Sequence, residues 1–297
     1  MKIATISMAC EHRKIEKIQD NLEYIEKTFE EISNIKPDLV CLPEIFYYAG
    51  VEKRGDFYSS EIKVFLKNLA KKYKTCIAGS IYDEREKGVF NTCVFINREG
   101  EIIGKYDKIH PTESEIEDGI IPGSKEQKVV ETEFGYLAAQ ICFDANWFDE
   151  WKKFSDMGAK LIVFSSSYPG GKVLNSISLL NSIYIVASIR EELKAGIIDN
   201  TGRWIVKTNR FSYWVWCDIN LERTVFHWDF QGDRLKGILK EYRDKIKIET
   251  FGDEALFTIE PISKDVKIDE IIKKYKLITY KEYIKRATEV QDDARTK

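Results

Sequence analysis

Asp38-Leu39-Val40-Cys41-Leu42-Pro43-Glu44 is an apolar run closed by proline, without polar alternation, the pattern of a short strand buried on both faces. Upstream of it, Ile15, Ile18, Leu22, Ile25, Phe29 and Ile32 recur in helical spacing, which predicts an amphipathic helix stopped by Pro37. Residues 2–8 read as a strand before that helix. Downstream, Ile62, Phe65, Leu66 and Leu69 lie on one face of a helix over residues 61–73, and residues 75–81 read as another strand. Buried strands alternating with amphipathic helices predict a βαβαβ unit, and so a layered α/β domain.

Beyond this unit the pattern changes. Strand-like runs over 89–97 and 101–106 flank Arg98-Glu99-Gly100, a hairpin turn that pairs them antiparallel. Strands are then expected at 128–132 and 136–142, a helix at 146–157, a strand at 161–165, a helix at 174–182 and a strand at 183–189. Shorter strands at 196–199 and 204–206 flank Asn200-Thr201-Gly202, and 213–220 is a last strand. The antiparallel stretch argues against one doubly wound sheet, whereas two sheets packed face to face with helices outside accommodate both features. No Gly-, Pro- or Ser-rich linker and no internal repeat interrupts the chain, so a single domain is expected over 1–297. From about Asp229 the composition turns charged, with helices expected at 235–247 and 266–275. This part reads as a C-terminal extension packing on the core or on a neighbouring subunit.

The chain has 297 residues, 43% of them hydrophobic, enough for a sizeable core. Lys and Arg total 46 against 49 Asp and Glu, a formal net charge of -3, so no bulk field draws it to nucleic acid or anionic lipid. The first nine residues lack the apolar core of a signal peptide, and no run reaches the roughly 18 apolar residues that span a bilayer. A cytoplasmic location is the resulting expectation. Cys10, Cys41, Cys76, Cys93, Cys142 and Cys217 form no Cys-x-x-Cys pair, which fits reduced thiols. His12, His110 and His227 are far apart, so neither a metal site nor a cofactor is expected.

Three residues stand where strands end, the position at which α/β folds expose reactive groups. Glu44 follows Pro43; it reads either as a helix N-terminal charge or as a carboxylate held in a pocket. Lys108 follows the second strand of the hairpin, where a lysine is ordinarily a solvated turn charge. Cys142 ends Tyr136-Leu137-Ala138-Ala139-Gln140-Ile141 and precedes Phe143-Asp144-Ala145-Asn146-Trp147, a strand running through a tight turn toward a helix. Amides and a helix N-terminus at such a turn favour a thiolate and an oxyanion. Its alternative is a buried structural cysteine, which suits Cys41, Cys76, Cys93 and Cys217, all within strand runs.

In order, Leu-Pro-Glu-Ile at 42–45, Lys-Ile-His-Pro-Thr at 108–112 and Ile-Cys-Phe-Asp at 141–144 resemble the three motif blocks of the nitrilase superfamily. The resemblance covers at least the first 220 residues. It implies a four-layer αββα sandwich, subunits pairing into a homodimer or higher homo-oligomer, and a Glu-Lys-Cys triad at Glu44, Lys108 and Cys142. A second carboxylate often accompanies the triad; the spacing matches Glu115, with Glu113 and Glu117 as alternatives. The implied activity is hydrolysis of a carbon-nitrogen bond in a small amide or carbamoyl substrate, with water, through a cysteine thioester. Nitrilases of the superfamily show Cys-Trp-Glu where this chain has Cys142-Phe143-Asp144, so the resemblance points to the amidase-like branches, with nitrile hydrolysis as the alternative.

Candidate substrate contacts are Tyr48, Asn91, Phe143, Trp147, Ser166, Ser167 and Tyr168; the last three open a loop that relatives use to line the pocket. Arg190, Glu191 and Glu192 stand where the family carries a longer small-residue stretch, and read as a solvated hairpin or as readers of a charged substrate. His110 reads as a loop-positioning residue, and His227 as packing. Two rival classes are a redox-active thiol and a non-catalytic descendant that binds a ligand or partner on the same scaffold.

Overall fold

The computed structural model describes residues 1–9, 13–51 and 58–296, so Cys10 and His12 lie outside the described residues. The chain forms two compact units, Met1–Ile219 and Asn220–Lys297.

The first unit starts as the sequence predicts: β1 (Lys2–Ile6), α1 (Ile18–Ser33), β2 (Leu39–Cys41), α2 (Ser59–Tyr73) and β3 (Cys76–Arg85). The three strands pair in parallel, Ile3 opposite Leu39 and Leu39 opposite Cys76. β4 (Gly88–Ile96) and β5 (Ile102–Asp107) then continue the sheet antiparallel. Gly100 at their turn has φ 76°, and a Cβ there would lie 2.7 Å from the Lys67 carbonyl oxygen, so the hairpin requires glycine on both counts.

After the short α3 (Glu113–Glu117), the chain builds a second sheet from β6 (Val130–Thr132), β7 (Gly135–Ile141), β8 (Leu161–Ser166), β9 (Tyr184–Ile189), β10 (Gly196–Ile198) and β11 (Trp204–Lys207). Helices α4 (Phe148–Asp156) and α5 (Lys172–Asn181) connect its parallel strands, and β12 (Trp214–Asp218) returns to the first sheet beside β1. The strand orders are β12-β1-β2-β3-β4-β5 and β11-β10-β9-β8-β7-β6, each with parallel strands in the middle and antiparallel ones outside.

Alternation of side chains along each strand separates the layers. Val40, Ile77 and Val94 face Ile25, Phe29 and Ile32 of α1 and Ile62, Leu66 and Leu69 of α2. Each such buried side chain contributes roughly 1.5–3 kcal/mol. Trp151 of α4 stacks obliquely on Phe164 of β8, centroids 5.9 Å apart, on the outer face of the second sheet. The inner faces meet through small hydroxyl residues: Thr5 Oγ1 donates to the Ala187 carbonyl (2.9 Å), Ser165 Oγ to that of Leu42 (2.8 Å), and Ser188 Oγ to those of Ile6 (2.7 Å) and Cys41 (3.0 Å). The result is the αββα sandwich, with β2 and β8 brought together at the ends that carry Glu44 and Ser167.

The second unit has its own core. β13 (Thr224–His227), β15 (Leu256–Pro261) and β14 (Ile246–Phe251) form an antiparallel sheet in that order. Phe226 and Phe257 stack at 5.1 Å within a cluster that includes Ile238 of α6 (Leu235–Tyr242), Ile259 and Ile271 of α7 (Ile268–Tyr275). The unit thus begins with a strand that precedes the compositional change near Asp229. The helix expected over 235–247 stops at Tyr242: Arg243 adopts φ 31°, and the alternating Ile246-Lys247-Ile248-Glu249 pairs with β15 instead. α8 (Tyr280–Arg295) opens with a capping box, Glu282 accepting from the Thr279 amide at 2.9 Å. Among the described residues, no helix is long and apolar enough to cross a membrane.

Candidate active site

The structure gathers Glu44, Lys108, Glu115 and Cys142, which are spread over about a hundred positions of sequence. Glu44 leaves β2, and the next residue, Ile45, has φ 44°. A β-branched residue in the left-handed region is strained, and it turns the chain off the line of the strand directly after Glu44. Lys108 leaves β5, and its backbone N–H donates to the Asn91 carbonyl at 2.8 Å. Cys142 leaves β7 with φ 50°, at the start of a 3-10 turn over Cys142–Asn146. The expected helix begins only at Phe148, so the thiol lies on this strained turn and not at the first turn of α4.

Asp144 holds the cysteine turn. Its Oδ2 accepts from the Ile141 amide (3.0 Å) and the buried Tyr106 hydroxyl (2.8 Å), and its Oδ1 from the His110 amide (2.8 Å). His110 Nδ1 lies 3.0 Å from the same Oδ1. His110 thus ties the lysine loop to the cysteine turn, as a loop-positioning residue does.

Two carboxylates flank one ammonium. Lys108 Nζ donates to Glu44 Oε1 at 2.8 Å and to Glu115 Oε2 at 2.6 Å, and the Lys108 side chain is 1% exposed. Glu115 is fixed by a capping box: its Oε2 accepts from the Thr112 amide at 2.8 Å, and its own amide donates to Thr112 Oγ1 at 3.3 Å. Glu113 and Glu117 are exposed, so the first choice of the spacing argument is the one at the site. Glu44 Oε2 accepts from the Ser167 amide (3.1 Å) and hydroxyl (2.8 Å).

Burial raises the pKa of a carboxyl, but here the Lys108 ammonium, the Arg190 guanidinium and the hydrogen bonds from Lys108 and Ser167 outweigh it, bringing Glu44 to about 2. Burial likewise opposes charge on Lys108, and the carboxylates beside it overcome that and push its value up. The Cys142 thiol is pushed up to about 12, first by burial and then by the negative Glu44; Lys108 acts in the opposite direction without reversing it. The resting arrangement is therefore a thiol beside a carboxylate, whereas the turn read from sequence favoured a thiolate.

Asn91, expected among the substrate contacts, has another place. Its Nδ2 donates to Glu44 Oε1 (2.9 Å) and Glu115 Oε1 (3.0 Å), which uses both amide hydrogens, and its Oδ1 accepts from Ser80 Oγ at 2.5 Å. At 1% exposure it bridges the two carboxylates. Ser166 is also turned inward: its hydroxyl closes a turn onto the Tyr168 carbonyl at 2.6 Å. Tyr48 is buried in a cluster with Tyr47 and Tyr82, at centroid distances of 5.0 and 6.3 Å. Phe143, Trp147 and Tyr168 remain exposed by 37–38%. Phe143 meets Trp147 edge to face at 5.2 Å, Trp147 stacks on His110 at 3.8 Å, and the Tyr168 hydroxyl is pushed up to about 12 by burial and by Cys142 and Glu44. These three aromatic residues, with Ser167, form the accessible rim.

Sequence reasoning missed Ser80 and left Arg190 between a solvated hairpin and a reader of a charged substrate. Ser80 carries no signal beyond lying in a strand. The Arg190 side chain is 13% exposed, and its Nη1 donates to the Glu44 backbone carbonyl at 3.4 Å.

Residues 2–212 match the family described as carbon-nitrogen hydrolase. Among curated proteins, the chain is 28% identical over 178 residues to a hydrolase in the agr operon of Staphylococcus aureus, covering 54% of this chain and 65% of that one. It is 26% identical over 174 residues to an ω-amidase of Saccharomyces cerevisiae, covering 52% and 59%. The chain thus spans between half and two thirds of the length of these two relatives. Among solved structures, a carbon-nitrogen hydrolase from Helicobacter pylori superposes with TM-score 0.66 at 17% identity, covering 82% of this chain and 93% of that one. An amidase from Nesterenkonia sp. superposes with TM-score 0.64 at 16% identity, covering 82% and 96%. The match over most of the first unit, joined to the sandwich fold, establishes that this chain belongs to the carbon-nitrogen hydrolase family of the nitrilase superfamily.

Proposed function

We propose that the chain hydrolyses the carbon-nitrogen bond of a small amide or carbamoyl compound through a thioester on Cys142. The observation that carries this reading is the buried Glu44-Lys108-Glu115 array beside a thiol on a left-handed turn. An amide is a weak electrophile with a poor leaving group, so it requires a nucleophile, a proton carrier and a counter-charge together. As the Cys142 sulfur bonds to the carbonyl carbon, its proton passes to Glu44, and the carbonyl oxygen becomes an oxyanion. An ammonium has three N–H donors; Glu44 and Glu115 take two, and the third has no partner among the described residues, so Lys108 serves the oxyanion. Collapse breaks the carbon-nitrogen bond while Glu44 returns the proton to the departing amine. Glu44 then takes a proton from water, whose oxygen attacks the thioester, and gives it to the sulfur as the acid leaves. The names of the yeast ω-amidase and of a 2-oxoglutaramate amidase from Bacillus subtilis support amide chemistry, as does an active-site cysteine in the Nesterenkonia amidase.

The test is ammonia release from short amides, ω-amides, carbamoyl compounds and nitriles, with intact-mass trapping of the acyl-enzyme. Turnover of an amide or carbamoyl compound with an acyl adduct on Cys142 supports the reading. Peroxide-driven sulfenylation of Cys142 without acylation by any substrate rejects it.

A further inference from the structure

We propose that α8 is a self-association surface, on which the same helix of a second copy of this chain packs antiparallel about a two-fold axis. The inference is independent of the amidase reading.

α8 runs for 16 residues, and none of them is buried. The core cluster around Phe226 and Phe257 contains no residue of α8 among the described ones. The start of the helix is fastened to its own chain: the Tyr283 hydroxyl donates to Asp229 Oδ2 at 2.7 Å, and the Tyr283 ring stacks on His227 at 4.8 Å. Beyond it, Ile284 is 45% exposed and Val290 63%. An isolated helix of this length is marginal in water and draws its stability from packing an apolar face.

The sequence of α8 carries such a face. Tyr280, Tyr283, Ala287, Val290 and Ala294 recur at alternating steps of three and four, the seam of a two-stranded coiled coil, and the positions between them are mostly charged. The seam also selects a partner and a direction. In an antiparallel pair centred between Ala287 and Val290, Val290 meets the second copy's Ala287 and Tyr283 meets its Ala294, so each layer sets a large side chain on a small one. A parallel pair sets Tyr283 on Tyr283 and Ala287 on Ala287, which alternates excess bulk with gaps.

Charge agrees with shape. Arg286 and Asp293 stand two turns apart along one flank of the seam; both are exposed, and neither has an ion pair among the described residues. Antiparallel packing brings Arg286 of each copy beside Asp293 of the other, so one two-fold axis makes two reciprocal pairs, whereas parallel packing sets Arg286 opposite the uncharged Gln291. A foreign helix would have to present the reversed pattern; a copy of this chain presents it by symmetry. Three turns of seam bury less than the roughly 1,200 Å² of a stable interface, so a Kd of about 10–100 µM is expected for this contact alone.

Sedimentation velocity of the full chain at about 1, 10 and 100 µM reads the contact in the wild type, Val290→Asp, Arg286→Asp, Asp293→Arg and the double charge reversal. All three positions are exposed, so thermal unfolding of the variants should match the wild type. We expect the wild type to gain mass with concentration and Val290→Asp to abolish that gain. Each single reversal sets like charges side by side and should raise Kd about 10-fold, an effect that shrinks in high salt. The double reversal rebuilds both pairs and should return Kd to within about 2-fold of the wild type. Rescue by the double reversal, with loss of association in Val290→Asp, upholds the proposal. A wild type and Val290→Asp that sediment alike throughout overturn it, whether both are monomers or both are assemblies held through another surface. A double reversal as weak as the single ones overturns the antiparallel pairing.

Discussion

Lys108 Nζ lies 2.8 Å from Glu44 Oε1, and neither side chain is more than 5% exposed. Each ion is therefore desolvated and depends on the other, and Glu115 adds a second negative charge at 2.6 Å from the same ammonium. The site's stability and reactivity both follow from this arrangement.

Replacing the ammonium should be costly. Lys108→Met leaves the buried Glu44 and the partly buried Glu115 without their shared cation, and we expect a loss of about 3–5 kcal/mol at neutral pH in urea unfolding. The pH dependence should change sign. In the wild type, Glu44 falls from its ordinary 4.5 to about 2, so its contribution is present above about pH 4.5 and is lost as pH falls toward 2. In Lys108→Met, burial prevails and raises the carboxyl, so stability should be lost as pH rises. A loss below about 1 kcal/mol would show that the pair is not buried as described.

Cys142 is held in a conformation that its side chain disfavours. Cys142→Ala should abolish turnover and acyl-enzyme formation while changing stability by less than about 1 kcal/mol, since the φ cost stays. Cys142→Gly removes that cost and should be as stable as Cys142→Ala or up to about 1 kcal/mol more so. Thermal unfolding and ammonia release check both, and turnover at the wild-type rate in Cys142→Ala would reject the nucleophile.

The thiol is raised to about 12 by burial and then by the Glu44 charge. Removing that charge should favour the thiolate, so Glu44→Gln should titrate at lower pH when followed by thiolate absorbance, while amide turnover is lost with the proton acceptor. A thiol titrating at the same or higher pH in Glu44→Gln would contradict the electrostatic account.

Asn91 distinguishes a framework role from a substrate contact. Asn91→Ala frees Glu44 and Glu115 from their bridge and strands Ser80, so kcat should fall about 10- to 100-fold with KM little changed, at a stability cost of about 1–3 kcal/mol. A raised KM with kcat preserved would return Asn91 to the substrate contacts.

The strands and helices of the first unit were legible because their patterns are local. Ile25, Phe29 and Ile32 repeat as a helix must if it covers a sheet, and Leu39-Val40-Cys41 are apolar as a buried strand must be. Glu115 was legible only through the family resemblance, by its spacing after Lys108; the structure adds that Thr112-x-x-Glu115 is a capping box, a contact made within one turn of chain. In the second unit the reading failed where β14 depends on β15, since a strand is recognised by its partner as much as by its own residues.

Residue types and their order along the chain thus determined which groups stand at strand ends: Glu44 after β2, Lys108 after β5, Cys142 after β7. Only the tertiary structure decided their charge states and neighbours. Sheet packing buried Glu44 beside Lys108, gave both Asn91 amide hydrogens to carboxylates, and drew Arg190 out of an apparent surface turn. Periodicity reports which face of an element is covered; burial and proximity between distant segments set the ionisation of a side chain, and they exist only once the sheets have met.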